Sequence, residues 1–249
     1  MEEAVRDFYD AVWIYGDPRI YDAVQEYHIN GDVVDKVRYT GYLDARQRLA
    51  YAGRQASTLL ASIPSGRLVL CLVGGGHDGH ALAEAFLRTG LPCDTTGVLV
   101  TGPYMPRAQM ERLREAGRAQ PRLRIVEFID EPAPLIDRAD RVIAMGGYNT
   151  MCEVLSFRKR ALIVPRVRPK PEQWIRAERL REHGLVDVLH PDALSPEALS
   201  AWLARKLGPP PSCSRVVQLD GLQRIPDFLE ALYEENDRSE QPLRWRAAL

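Results

Sequence analysis

The sequence holds little cysteine and no long apolar run. Its four cysteines, Cys71, Cys93, Cys152 and Cys213, are scattered through 249 residues with no CxxC pair. That spacing excludes a disulfide framework and a thiolate zinc site. It fits a reducing, cytoplasmic setting in which Cys71 and Cys152 serve as small core residues. No apolar stretch approaches the ~18 residues of a membrane helix, and the longest, residues 68–73, has the length of a buried strand. The opening MEEAVRDFYD is acidic and lacks the apolar centre of a signal peptide. Neither sign of charge is in excess, with 33 Lys+Arg against 34 Asp+Glu. A balanced chain gives no reason to expect nucleic acid or an anionic membrane as the main partner. With 45% hydrophobic and 27% charged residues, the composition is globular, which excludes a disordered chain, a collagen or a coiled coil.

Short β-rich apolar runs alternate with amphipathic helical patterns. Strands are expected at residues 11–15, 37–40, 67–73, 97–101, 123–128, 141–144, 161–165 and 186–189. Helices are expected at 81–88, 107–119, 149–157, 172–183, 195–207 and 225–234. Such alternation predicts an α/β fold, a doubly wound parallel sheet with helices on both faces. Apolar runs without polar alternation, such as LVLCLV, suit strands buried on both sides. The rhythm is regular over about six βα units from Arg67 onward. Residues 1–43 hold two strand patterns and too little apolar sequence for a core, and read as the remnant of another domain with its linker. Residues 44–66 read as a helical connector ending in the breaker cluster Ile63-Pro64-Ser65-Gly66, 67–235 as the main domain, and 236–249 as a polar tail.

Two turns carry the chemistry. In VGGGHDGHALAEAF, residues 73–86, a strand runs into Gly74, Gly75 and Gly76, and a helix then begins. Glycines allow close backbone approach, and a helix start offers free N–H groups and a positive dipole end, which suits a phosphate or diphosphate. A plain tight turn is the alternative. Gly74, Gly76 and Gly79 match GxGxxG, but the next strand ends in Leu99-Val100-Thr101-Gly102 without the carboxylate a dinucleotide site needs. His77, Asp78 and His80 crowd one turn and do not make a metal site; His77 reads as a phosphate partner or as an exposed side chain. In RVIAMGGYNTMCEV, residues 141–154, a second strand meets Gly146-Gly147, with Asn149 and Thr150 at the following helix start. Thr150 and Glu153 have capping-box spacing, so Glu153 is either a helix cap or a carboxylate that accepts ribose hydroxyls. Phe128 and Ile129 form an apolar strand exit that would hold a flat base, or is an ordinary strand end. Arg166, Arg168 and Lys170 precede a helix carrying Glu172 and Gln173. The triplet Arg158-Lys159-Arg160 reads as surface on the opposite edge.

These stretches, in this order, resemble the C-terminal domain of two-domain GT-B glycosyltransferases. The resemblance is to the family-28 type, which includes MurG-like N-acetylglucosaminyltransferases of peptidoglycan synthesis. It covers roughly residues 67–207, and the run IVEFIDEPAPLIDRADRVIAMGGYNTMCEVLSFRKRALIVPRVRPKPEQWIRAERLREHGLVDVL carries the family's pattern. It implies a Rossmann-like C-terminal half of the GT-B fold that binds a nucleotide-sugar, with UDP-sugar as donor and no metal or dinucleotide cofactor. Gly75, Gly76 and His77 would line the diphosphate. Gly147, Asn149 and Thr150 would contact phosphate from the second helix. Phe128 and Ile129 would hold the base, Glu153 the ribose, and Glu172 and Gln173 the sugar. It further implies an N-terminal domain or partner chain that brings the acceptor and the catalytic base, since no convincing base occurs here. A lipid-linked acceptor and peripheral membrane association would follow. Two alternatives share the fold: a non-catalytic nucleotide-binding subunit paired with an acceptor-domain partner, and an enzyme like the UDP-sugar 2-epimerases.

Overall fold

A computed structural model describes residues 2–206, 208–213 and 216–238. The expected segment 236–249 therefore lies largely outside the described residues, as does the last residue of the helix expected at 195–207.

The chain forms two compact units, residues 45–216 and residues 1–44 with 217–249. The smaller opens with α1 (Glu2–Phe8), β1 (Val12–Tyr15), the single turns α2 (Ala23–Glu26) and α3 (Asp32–Asp35), and β2 (Val37–Gly41). β1 and β2 pair in parallel. Lys36 donates to the carbonyls of Val5, Arg6 and Tyr9, closing the C-terminal end of α1.

The larger unit begins with a 3-10 turn (Ala45–Tyr51) and α4 (Arg54–Ser62). Six βα pairs follow: β3 (Arg67–Leu72) and α5 (His80–Leu87), β4 (Thr95–Val100) and α6 (Arg107–Gly117), β5 (Leu123–Val126) and α7 (Ala133–Arg138). Then come β6 (Arg141–Ala144) and α8 (Tyr148–Ser156), β7 (Arg160–Ile163) and α9 (Glu172–Glu182), β8 (Asp187–Val188) and α10 (Pro196–Ala204). The last helix, α11 (Gly221–Arg238), belongs to the smaller unit, where Phe228 packs on Trp13 with ring centroids 6.0 Å apart. The sequence reading kept residues 217–235 with the main domain. It also set the connector apart, whereas the 3-10 turn and α4 fall inside the larger unit.

All six strands of the larger sheet are parallel, in the order β5-β4-β3-β6-β7-β8. Both faces are covered, which explains the unbroken apolar strands. Val69, Cys71, Val73, Leu99, Ile143 and Leu162 face Phe86 of α5, Leu113 of α6 and Trp202 of α10. The alternate residues Leu68, Leu70, Val98 and Val142 are equally buried, as the period of two in a strand requires. Cys152 and Cys213 are buried as well, and Cys93 is exposed. Burial pushes the Cys71 and Cys213 thiols up. Chain order reverses between β3 and β6, so a topological switch point lies at their carboxyl ends, where open α/β sheets bind ligands.

Candidate functional site

Leu72 pairs with Ala144 at the ends of β3 and β6. The two glycine turns therefore leave the sheet side by side, on one rim, at the switch point. α5 starts after Gly79 and α8 after Gly147, and no side chain caps either helix. The first-turn N–H groups of two helices thus lack intrahelical acceptors, and both dipoles present their positive ends to the same rim.

The glycines have different reasons to be there. Gly76, at φ +98°, packs on backbone: an added Cβ would lie 2.5 Å from the Thr101 carbonyl oxygen and 2.8 Å from the Met105 nitrogen. Gly79 gives way to Val73, and Gly146, at φ +76°, to Ile163. Gly147 differs. Its backbone is ordinary, φ −58° and ψ 151°, and a Cβ there would meet nothing within 4 Å. Neither packing nor torsion calls for glycine at 147, and its missing side chain leaves the start of α8 open to close approach. Gly74, at φ +67°, also opens to free space, and Gly75 lies under the Tyr104 ring, with the Tyr104 backbone N–H donating to the Gly75 carbonyl at 2.9 Å.

Side chains link the exits of β3, β6 and β7. Asp78 accepts from Arg166 at 3.3 Å, and the Arg166 N–H donates to the Gln173 side-chain oxygen at 3.1 Å. Glu172 pairs with Arg176 one turn on, and that guanidinium lies 5.8 Å from the centre of the Tyr148 ring at the start of α8. Gln173 thus keeps its amide donors, while Glu172 is committed to a buried arginine. His77 is exposed and stacks on Tyr104, centroids 5.0 Å apart. Asn149 is exposed and Thr150 half-buried in the first turn of α8.

Glu153 does not cap α8. The helix begins at Tyr148, so Thr150 already lies inside it and T-x-x-E is not a capping box here. Glu153 is 3% exposed, and its Oε1 accepts from Arg48 Nη1 at 2.7 Å. Arg48 Nε meets Glu131 Oε2 at 2.8 Å. Burial raises the Glu153 carboxyl to about 7, because the nearby Glu131 charge adds to desolvation and the shared Arg48 returns less than burial removes. Arg48 itself, beside two carboxylates, is held charged despite burial.

Phe128 and Ile129, expected at the base, precede Glu131 of this cluster in sequence. Ile129 is buried and Phe128 half-exposed. Gln55, from α4, donates to the Phe128 carbonyl at 2.7 Å and accepts from the Asp130 N–H at 3.4 Å, bracketing Ile129. Sequence reading missed Arg48, Gln55, Tyr104 and Arg176. Their only signal was position on segments read as connector, loop or amphipathic helix. The triplet at the opposite rim is more occupied than a free surface: Arg158 donates to the Pro211 carbonyl and Lys159 to the Asp137 carbonyl.

Residues 69–212 match the glycosyltransferase family 28 C-terminal domain. The chain belongs to that family. Among curated relatives, a UDP-N-acetylglucosamine–N-acetylmuramyl-(pentapeptide) pyrophosphoryl-undecaprenol N-acetylglucosamine transferase of Klebsiella pneumoniae subsp. pneumoniae is 25% identical over 193 residues, 73% of this chain and 52% of the relative. The same-named transferase of Haemophilus influenzae (strain PittEE) is 30% identical over 134 residues, 53% of this chain and 38% of the relative. The chain thus spans about half the length or less of the relatives it matches. The solved structure of Acinetobacter baumannii MurG aligns with 92% of the chain and 76% of its own, at TM-score 0.57 and 15% identity. The UDP-GlcNAc 2-epimerase of Methanocaldococcus jannaschii aligns with 92% of the chain and 78% of its own, at TM-score 0.53 and 12% identity. At these identities the structures show the fold, a Rossmann-like GT-B half. Among the described residues, no group of three His, Cys, Asp or Glu side chains could hold a metal ion, and no helix is long and apolar enough to cross a membrane.

Proposed function

We propose that this chain is the donor-binding half of a glycosyltransferase and takes a nucleotide-sugar, with UDP as the nucleotide. One observation carries the reading: β3 and β6 pair in parallel at the switch point, and each leads into an uncapped helix start on the same rim. Two such ends suit a diphosphate, which gains charge as it departs from the sugar. N–H groups and dipoles fixed in advance stabilise that charge without reorganising. Gly74, Gly75, Gly76 and His77 would line one phosphate, and Gly147, Asn149 and Thr150 the other. Phe128 and Ile129 would receive the base, Glu153 a ribose hydroxyl, and Gln173 the sugar, with Glu172 acting through Arg176.

The curated relatives are named for transfer of N-acetylglucosamine to a pyrophosphoryl-undecaprenol acceptor. By analogy, the sugar here is a hexose or N-acetylhexosamine and the acceptor is lipid-linked. The acceptor site and the base that deprotonates it would then come from a further domain or a partner chain, and the working complex would sit at the membrane surface from the cytoplasmic side.

Calorimetric titration with UDP, dTDP, GDP and NAD tests this. The reading expects saturable UDP binding, weaker dTDP and GDP binding and none of NAD; NAD binding without UDP binding would overturn it. The epimerase reading rests on the TM-score of 0.53 to the epimerase. It would be favoured if UDP-N-acetylglucosamine incubated with the chain yielded the 2-epimer.

A further inference from the structure

We propose that Arg48 is a positioning residue of the donor site, a single guanidinium on the connector that locks the Glu153 carboxylate to the base loop at Glu131. The inference rests on the donor reading and goes beyond it, since none of the residues assigned to the nucleotide lies on the connector.

Three observations support it. Glu153 and Glu131 are both largely buried, with side chains 4% and 12% exposed. Two carboxylates this shielded repel unless a cation stands between them, and the planar fork of arginine reaches both with separate nitrogens. The far ends are anchored too. Glu131 uses its other oxygen on the Ala133 N–H at 2.9 Å, at the start of α7, so Arg48 is tied to a fixed point. Glu153 gives Arg48 only Oε1, and Oε2 has no partner among the described residues, which leaves it for a hydroxyl donor. The connector also grips the same loop a second time, through the two bonds of Gln55 around Ile129. The charged groups acting on Glu153 are Arg48 from the 3-10 turn and Glu131 from the base loop.

The test is UDP calorimetry from about pH 6 to pH 8.5 on the whole chain and on R48Q, R48K, E153Q and R48Q/E153Q, with circular dichroism and thermal melts as controls. An ionised Glu153 is the better hydroxyl acceptor, so wild-type affinity should climb as pH rises through about 7. In R48Q affinity should fall about tenfold or more near neutrality, and the pH at which it climbs should move upward, because Glu153 loses its cation. R48K should recover part of both. R48Q should add less than about twofold on the E153Q background. UDP titrates its own phosphate equally against every variant, so the displacement belongs to the protein. A folded R48Q that binds like wild type at every pH overturns the proposal. So does one that weakens binding equally at every pH and adds fully to E153Q. Should R48Q not fold, R48K decides alone: weaker binding with a displaced pH profile supports the proposal, and unchanged binding overturns it. If E153Q weakens UDP and R48Q does not, this inference fails and the donor reading stands. If wild type binds no UDP at all, both fail.

Discussion

At Glu153 burial and a shared cation oppose each other. Burial wins, so the carboxyl titrates at about 7, above its ordinary 4.5. The sign of the consequence follows. A carboxyl with a raised folded pKa contributes stability that is full below 4.5 and is lost as pH rises through about 7. Wild type should therefore lose melting temperature relative to E153Q between about pH 5 and pH 8, and parallel melts of the two proteins check this. The same variant should weaken UDP by about tenfold to a hundredfold at pH 8, the scale of a hydrogen bond to a charged group. An E153Q that binds UDP as wild type does would remove the ribose role. Glu153 was legible in sequence only as a choice between cap and clamp. The start of α8 at Tyr148 removes the cap and leaves the clamp as a proposal, and helix boundaries are set by tertiary contacts as much as by local signals.

Helices α5 and α8 both start behind a glycine, and the two starts make opposite demands. Gly79 and the preceding Gly76 answer to packing, and Gly147 answers to nothing in the folded chain. Gly76→Ala should cost about 2 kcal/mol or more for a side chain forced into positive φ, read as a melting point about 4–8 °C lower. Gly147→Ser should leave stability unchanged or slightly raised, because Ser caps a helix at least as well as Gly. It should still weaken UDP about tenfold, since the new hydroxyl takes the N–H groups a phosphate would need. Melts and calorimetry on the two variants separate the effects. A Gly147→Ser that binds UDP normally would place the phosphate elsewhere.

The strands fell close to where hydrophobic runs and glycine breaks suggested, and for β3, β4, β6 and β7 the reason is that a strand buried on both faces leaves little freedom in composition. The exit loops of β3 and β6 were legible for another reason, since a glycine run ends an apolar strand pattern and permits the backbone that a tight strand–helix turn needs. Three things were not legible. The short α7 carries Pro134 and too few turns for a periodic signal. The return of α11 to the first 44 residues is a long-range contact with no local mark. Arg48 and Gln55 lie 105 and 73 residues from partners they bind, a distance that no spacing rule covers.

In the proposed donor site, two bare helix starts on one rim share a diphosphate. An amide-resolved NMR titration with UDP measures this most directly. Saturable shifts concentrated at residues 74–82 and 147–151 are expected, both sets following one binding curve. Saturable binding whose shifts avoid either set, or no binding at millimolar UDP, would contradict it.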